Sequence, residues 1–263
     1  MNTPRTLGII GHGAFGAFLE SLARRFAPGL ALRVFARKAT PDGARFFSLA
    51  ETCQCDVVII AVSIRAFEET LLKILPLLKP GAILVDVNTV KEHPARLLAQ
   101  HAGARAWVAT HPMFGPFSFE KNGGTLNGLR LVIAENNLPP ATLAAAMAWL
   151  RGLGLDVITM SAEAHDRMLA ETLFLTHYVA QMVASGGFVR TDIDTLSFGF
   201  LMDAVESVKS DTELFRDVFA FNPWCRDTIA RLEKAESEVH ALLEHERLTE
   251  AVIQAVEERD AKN

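Results

Sequence analysis

From Thr6 to about Met160, short β-branched and apolar runs alternate with stretches of helical period. The runs are Leu7–Ile10, Leu32–Phe35, Val57–Val62, Ile83–Val87, Ala106–Ala109, Leu129–Ile133 and Leu155–Ile158. Between them, apolar spacing predicts helices near Ala14–Phe26, Arg65–Leu77, Glu92–Ala102 and Pro140–Leu153. Such alternation is the sequence form of repeated βαβ units, hence of an α/β domain with a doubly wound, largely parallel sheet. Val57–Val62 is apolar at every position, as expected of a strand covered on both faces.

After Ser161 the strand signals stop. Long amphipathic helices are predicted over Glu163–Gly186, Asp192–Lys209, Asp211–Phe221 and Pro223–Arg259, with Ser161 as an N-cap of the first and Gly186-Gly187 as its end. The predicted division is therefore 1–160, an α/β domain, and 161–263, an all-helical domain. In the last helix Ile229, Leu232, Val239, Leu242, Leu243, Val252 and Ile253 form one apolar stripe opposite a charged face. At 1.5 Å per residue that helix is about 50 Å long, more than a small domain covers by itself. The expectation is a homodimer joined through the helical domain.

Composition narrows the partners. Half of the 263 residues are hydrophobic and 22% are charged, which supplies two cores and excludes a disordered chain. A formal net charge of -5 without a basic cluster argues against nucleic acid. The most apolar stretch, Met168 to Val189, is interrupted by Glu171, His177 and Gln181, so no membrane span is expected. The first residues lead into a strand pattern without the parts of a signal peptide, which makes a cytoplasmic location the expectation. Cys53, Cys55 and Cys225 fit neither a disulfide framework nor a zinc site, and no metal is expected.

Gly8-Ile9-Ile10-Gly11-His12-Gly13-Ala14-Phe15-Gly16 places G-x-G-x-x-G after a predicted strand and at the start of a predicted helix. In that setting it reads as the phosphate turn of a Rossmann-type dinucleotide-binding domain. Gly11 makes the tight turn, Gly13 admits the pyrophosphate and Gly16 allows close packing, with Ala14 and Phe15 at the helix N-terminus. Val62, at the end of the third run, and Ser63 after it complete the expected cofactor contacts. The second strand ends Phe35-Ala36-Arg37-Lys38, with Thr40 close by, where NAD enzymes usually carry a carboxylate. Two cations and a hydroxyl there predict NADP as the cofactor.

Two further segments follow strands: Asp86-Val87-Asn88-Thr89-Val90-Lys91 and Thr110-His111-Pro112-Met113-Phe114-Gly115-Pro116. Open α/β sheets bind ligands at the carboxyl ends of their strands, so a histidine in that position suits proton transfer beside the nicotinamide. The pairing of these motifs resembles the prephenate/arogenate dehydrogenase family. The likeness continues through Met160-Ser161-Ala162-Glu163-Ala164-His165-Asp166-Arg167, then Phe174-Leu175-Thr176-His177 and, more weakly, Leu214-Phe215-Arg216-Asp217-Val218-Phe219. Glu92-His93-Pro94 and the His111 segment are closest to the plant-type arogenate dehydrogenases.

The resemblance implies oxidative decarboxylation of a small cyclohexadienyl substrate, either arogenate to tyrosine or prephenate to 4-hydroxyphenylpyruvate. It implies His111 as the acceptor of the ring 4-hydroxyl proton and Thr89 where a serine usually shares that hydroxyl. His177 is implied on the substrate side, with Thr176 and Lys91 as further substrate contacts. Gly199 to Lys209, where many relatives carry an arginine for a substrate carboxylate, contains none. Asp203 and Glu206 stand there instead and tilt the expectation toward arogenate, whose side chain carries an ammonium; Lys91, Arg190 and a partner chain's Arg216 are left as candidate cations. The alternative is another NADP reductase of the same layout, of the β-hydroxyacid dehydrogenase or imine reductase type.

Overall fold

The computed structural model describes residues 4–208 and 211–260, with side chains as far as residue 245. Lys209 and the side chains of Val252 and Ile253 lie outside the described residues.

Seven strands form one sheet: β1 (Thr6–Ile10), β2 (Ala31–Phe35), β3 (Val57–Ile60), β4 (Ile83–Asp86), β5 (Ala106–Pro112), β6 (Arg130–Asn136) and β7 (Asp156–Thr159). Their order is β2-β1-β3-β4-β5-β6-β7. The first five run parallel, β6 is antiparallel to β5, and β7 is parallel to β6. The carboxyl ends of β1, β3, β4 and β5 therefore share one edge.

Side chains alternate between two cores, as a pleated sheet covered on both faces requires. Trp107 and Ala109 join Ile10, Val58, Ile60, Leu84, Phe67 and Leu98 on one face. Val108 joins Phe18, Phe114, Leu131, Ile133 and Val157 on the other. The covering helices are α1 (Ala14–Phe26), α2 (Leu49–Cys53), α3 (Ile64–Ile74), α4 (Glu92–His101), α5 (Pro116–Lys121) and α6 (Pro140–Gly152). Helix α2, not expected from apolar period, rests on a reciprocal cap. Ser48 Oγ accepts from the Glu51 backbone N–H at 3.2 Å, and Glu51 Oε2 accepts from the Ser48 backbone N–H at 2.9 Å.

The predicted helix Glu163–Gly186 is three segments: α7 (Ala162–Leu169), a π-helical turn (Ala170–Phe174) and α8 (Leu175–Ser185). The chain then passes through α9 (Leu196–Val208), α10 (Thr212–Phe221) and α11 (Cys225–Asp260). Helix α9 starts later than the expected Asp192. Asp194 accepts from the Thr191 backbone and hydroxyl, and Thr195 Oγ1 takes the Phe198 N–H, so the segment before it is a turn and a cap.

Two compact units result. One runs to Leu169 and includes Asp211–Asn222; the other holds Ala170 onward and the chain after Pro223. The sequence pattern, by comparison, changes at residue 160. Helix α7 is fixed to the sheet unit because Asp166 accepts the backbone N–H groups of Lys91 and Glu92, each at 2.8 Å. Asn222 Nδ2 at the end of α10 donates to the Asp166 carbonyl at 2.7 Å. The second unit has its own small core, where Ala180 of α8 meets Met202 and Val205 of α9. Among the described residues no helix is long and apolar enough to cross a membrane.

Candidate active site

The glycine turn follows from β1. Gly11 takes φ +103°, and a Cβ there would stand 2.4 Å from the Ala61 carbonyl oxygen. A Cβ on Gly16 would stand 2.2 Å from the Gly11 carbonyl oxygen, so the turn and α1 meet backbone to backbone. At Gly13, by contrast, a Cβ would find nothing within 4 Å. Beyond it α1 begins with no side-chain cap and no acidic residue in its first turn. Open space in front of bare helix amides fits a pyrophosphate.

Ala14 and Phe15 open α1, and Val62 and Ser63 leave β3 at the same edge of the sheet. Ser63 is exposed and its hydroxyl makes no hydrogen bond among the described residues. Arg37, Lys38 and Thr40, past the end of β2, are exposed as well. Neither cation is in a hydrogen bond or ion pair with the described residues, although Arg37 lies close enough to Glu69 to lower its pKa.

Sequence reasoning missed what fastens this loop. Glu20, buried in α1, accepts from Arg45 Nε at 2.8 Å and from Arg24 Nε at 3.0 Å, and bonds His12 Nε2 at 2.8 Å. Burial opposes its ionisation, but the bonds from Arg45, His12 and Arg24 prevail and hold its pKa down to about 2. The segment after β2 is thereby tied to the residue between Gly11 and Gly13.

His111 was expected in a loop after the fifth strand, yet β5 extends through it to Pro112. The reason is β6, whose Val132 pairs with His111 and Leu131 with Pro112. A register shift between Ala109 and Thr110 interrupts the alternation just ahead of it, the kind of irregularity that re-aims a side chain. His111 is buried, with Nδ1 at 2.9 Å from His165 Nε2 on α7. His165 Nδ1 lies in turn 2.8 Å from Asp166 Oδ1. Burial first, then the neighbouring His165 ring and the Lys91 ammonium, push the His111 pKa well below its ordinary 6.5, so the ring is a neutral base at physiological pH.

Lys91 does not have the substrate-facing position expected of it. Its side chain is wholly buried, and its ammonium is shared between Asp86 of β4 and the Thr110 carbonyl, the latter at 2.5 Å. Asn88 donates to the other Asp86 oxygen from its backbone at 3.0 Å and its side chain at 2.7 Å. Lys91 thus ties the end of β4 to the residue before His111. Thr89, in the same turn, is half-buried and its hydroxyl has no hydrogen bond among the described residues.

Thr176 and His177 belong to the second unit, on α8. His177 is buried, whereas Thr176 is exposed and donates its hydroxyl to the Thr172 carbonyl at 2.9 Å. In that unit Arg190 donates to Glu206 at 3.0 Å and to Asp203 at 2.6 Å, with Asp194 at 3.9 Å. One guanidinium shared among three carboxylates leaves the patch acidic. Arg190 is committed within it, while Arg216 on α10 is exposed.

A family described as "Prephenate dehydrogenase, nucleotide-binding domain" matches residues 39–125, which include the Asp86–Lys91 turn and His111. Arogenate dehydrogenase 2, chloroplastic, of Arabidopsis thaliana is 30% identical over 244 residues, 87% of this chain and 67% of its own length. Arogenate dehydrogenase 1, chloroplastic, of the same plant is 30% identical over 249 residues, 88% of this chain but 38% of its own length. This chain thus spans well under half of that relative. In structure the fold is similar to prephenate dehydrogenase from A. aeolicus, solved in complex with hydroxyphenyl propionate and NAD+. The TM-score is 0.72 at 21% identity, covering 100% of this chain and 99% of that one.

Proposed function

This chain belongs to the prephenate/arogenate dehydrogenase family, and on that premise we propose that it oxidatively decarboxylates a cyclohexadienyl substrate, arogenate or prephenate, using NADP. The observation that carries the reading is His111, a buried, neutral imidazole at the edge of the sheet that also holds the glycine turn. In the reaction His111 accepts the proton of the ring 4-hydroxyl, and the O–H pair becomes a carbon–oxygen double bond as the C4–H pair departs as hydride. The nicotinamide supplies the hydride acceptor. The bond to the ring carboxylate then breaks, carbon dioxide leaves, and its electron pair closes the aromatic ring while the oxygen recovers its proton from His111. Aromatisation supplies the driving force, so alignment and one base suffice. Thr89 shares the hydroxyl; the family resemblance alone assigns His177 and Thr176 to the substrate.

Steady-state assays with both substrates and both nicotinamide cofactors test this directly. Turnover of either substrate supports the reading, and turnover of neither favours a β-hydroxyacid dehydrogenase or imine reductase type of activity. The acidic patch of Asp194, Asp203 and Glu206 around Arg190 favours arogenate, whose ammonium gains where a keto group does not. A higher kcat/KM for prephenate reverses that preference.

The choice of NADP rests on Arg37 and Lys38 standing where a ribose-binding carboxylate would otherwise be. Arg37→Asp should shift the ratio of kcat/KM for NADP over NAD toward NAD by about tenfold or more, because a charged contact becomes a repulsion. An unchanged ratio removes Arg37 from cofactor selection.

The active form is a homodimer through the helical unit. Val239, Leu242 and Leu243 on α11 are each more than half exposed, and Ile193, Leu196 and Phe200 leave further apolar surface in the same unit. A two-fold pairing covers such a stripe with its own copy. Light scattering at micromolar concentration should give twice the chain mass; an active monomer contradicts it.

A further inference from the structure

We propose that His165 and Asp166 are positioning residues that hold His111 in the one tautomer able to act as a base. The proposal deepens the proton-acceptor role given to His111 above and rests on it.

The bonding order along the three side chains fixes the protons. Asp166 already accepts two backbone N–H groups at the start of α4, Lys91 on Oδ1 and Glu92 on Oδ2, so its carboxylate is anchored as an acceptor. His165 Nδ1, at 2.8 Å from Oδ1, must then carry the hydrogen of that contact. A neutral imidazole with a hydrogen on Nδ1 presents a bare Nε2. That nitrogen accepts from His111 Nδ1 at 2.9 Å, so His111 Nδ1 carries its hydrogen and His111 Nε2 is left as the lone-pair nitrogen. His111 Nε2 makes no hydrogen bond among the described residues, and so faces no competitor for a substrate proton.

Charge on the surrounding elements completes the argument. Three fully buried charged groups adjoin this relay: Asp166 on α7, bonded to His165; Lys91 at the start of α4, which acts on His111; and Asp86 at the end of β4, paired with Lys91. Lys91 and Asp86 neutralise each other. Asp166 is the charge left over, and it lies one imidazole away from where a positive charge appears when His111 takes up a proton. The protonated ring keeps its Nδ1–H on His165, so the charge forms without any bond having to be remade. A carboxylate that selects the tautomer of a neighbouring histidine is worth several orders of magnitude in rate in other enzymes. Here the selection passes through a second ring. The order of residues in the sequence does not suggest the contact, because His165 is 54 positions from His111.

The test uses His165 rather than Asp166, since changing Asp166 also removes the two backbone bonds at α4. In the whole protein labelled with 15N-histidine, the His111 signals, identified by their loss in His111→Asn, should show a protonated Nδ1 and a bare Nε2. His165→Leu should convert His111 to the opposite tautomer and lower kcat about 100-fold, with KM and cofactor affinity within about twofold. His165→Gln, whose amide oxygen replaces the Nε2 acceptor, should restore kcat to within about tenfold of the natural enzyme. A protonated Nε2 in the natural protein overturns the proposal, and so does a His165→Leu enzyme with kcat within about threefold of it. Should His165→Leu fail to fold, the natural protein's nitrogen shifts and the glutamine variant still decide. If no cyclohexadienyl substrate is turned over, the proposed function fails while the nitrogen shifts continue to report whether the tautomer is held.

Discussion

Replacing His111 with asparagine or alanine should reduce turnover by about two to four orders of magnitude, the usual contribution of a positioned general base, while leaving cofactor affinity almost unchanged. The two effects separate because the glycine turn at Gly11–Gly16 is built without His111. Cofactor fluorescence measures the second and steady-state kinetics the first. The pH profile adds a signature. A base works only in its unprotonated form, and burial together with the neighbouring His165 and Lys91 lowers the His111 pKa well below 6.5. The acid limb of kcat/KM in the natural protein should therefore lie below the ordinary histidine range, and activity should fall only as pH drops through that lower value. In His111→Asn this limb should vanish along with most of the rate. A variant with near-natural turnover, or one that keeps the same acid limb, takes His111 out of the chemistry.

The parts of the molecule that could be read in the sequence are those where local sterics leave few choices. Gly11 and Gly16 have no room for a Cβ, so the phosphate turn carries its own signature. On β3 Val58 and Ile60 are buried on one face and Val57 and Ile59 half-buried on the other, so the unbroken apolar run reports a strand covered on both sides. What could not be read depends on distant partners. Strand β5 reaches His111 only because β6 pairs with it in antiparallel, and nothing in Thr110-His111-Pro112 specifies that. The His165 ring has no local reason to face His111, and Glu20, whose i,i+4 pairing with Arg24 is local, has no local reason to gather Arg45 and His12. Helix α9 starts at Leu196 and not at Asp192 for a different reason: Thr191, Asp194 and Thr195 offer side-chain bonds that compete with helix, and the apolar period alone does not register them. Lys91 shows the same ambiguity in charge, since a lone cation after a strand looks alike in sequence whether it meets a ligand or a buried carboxylate.

That ambiguity has a measurable consequence. Lys91→Met should lower the unfolding free energy by about 3–5 kcal/mol, the cost of leaving one member of a buried ion pair without its partner. Asp86 would keep its bonds from Asn88 on one oxygen but lose the ammonium on the other, with no solvent to replace it. An isolated buried carboxylate is pushed toward its protonated form, which raises its folded-state pKa above the unfolded value. For a group so shifted, folding is least penalised below the unfolded pKa and most penalised once pH exceeds the folded one. The deficit against the natural protein should therefore be largest at about pH 8 and shrink toward about pH 5. Adding Asp86→Asn to Lys91→Met removes the stranded charge while keeping an acceptor for Asn88, and should recover at least half of the loss. Urea unfolding of the three proteins at both pH values measures all of this. If Lys91 instead served the substrate, Lys91→Met would raise KM and leave the urea midpoint near that of the natural protein, and a deficit that did not change with pH would equally exclude the buried-pair account.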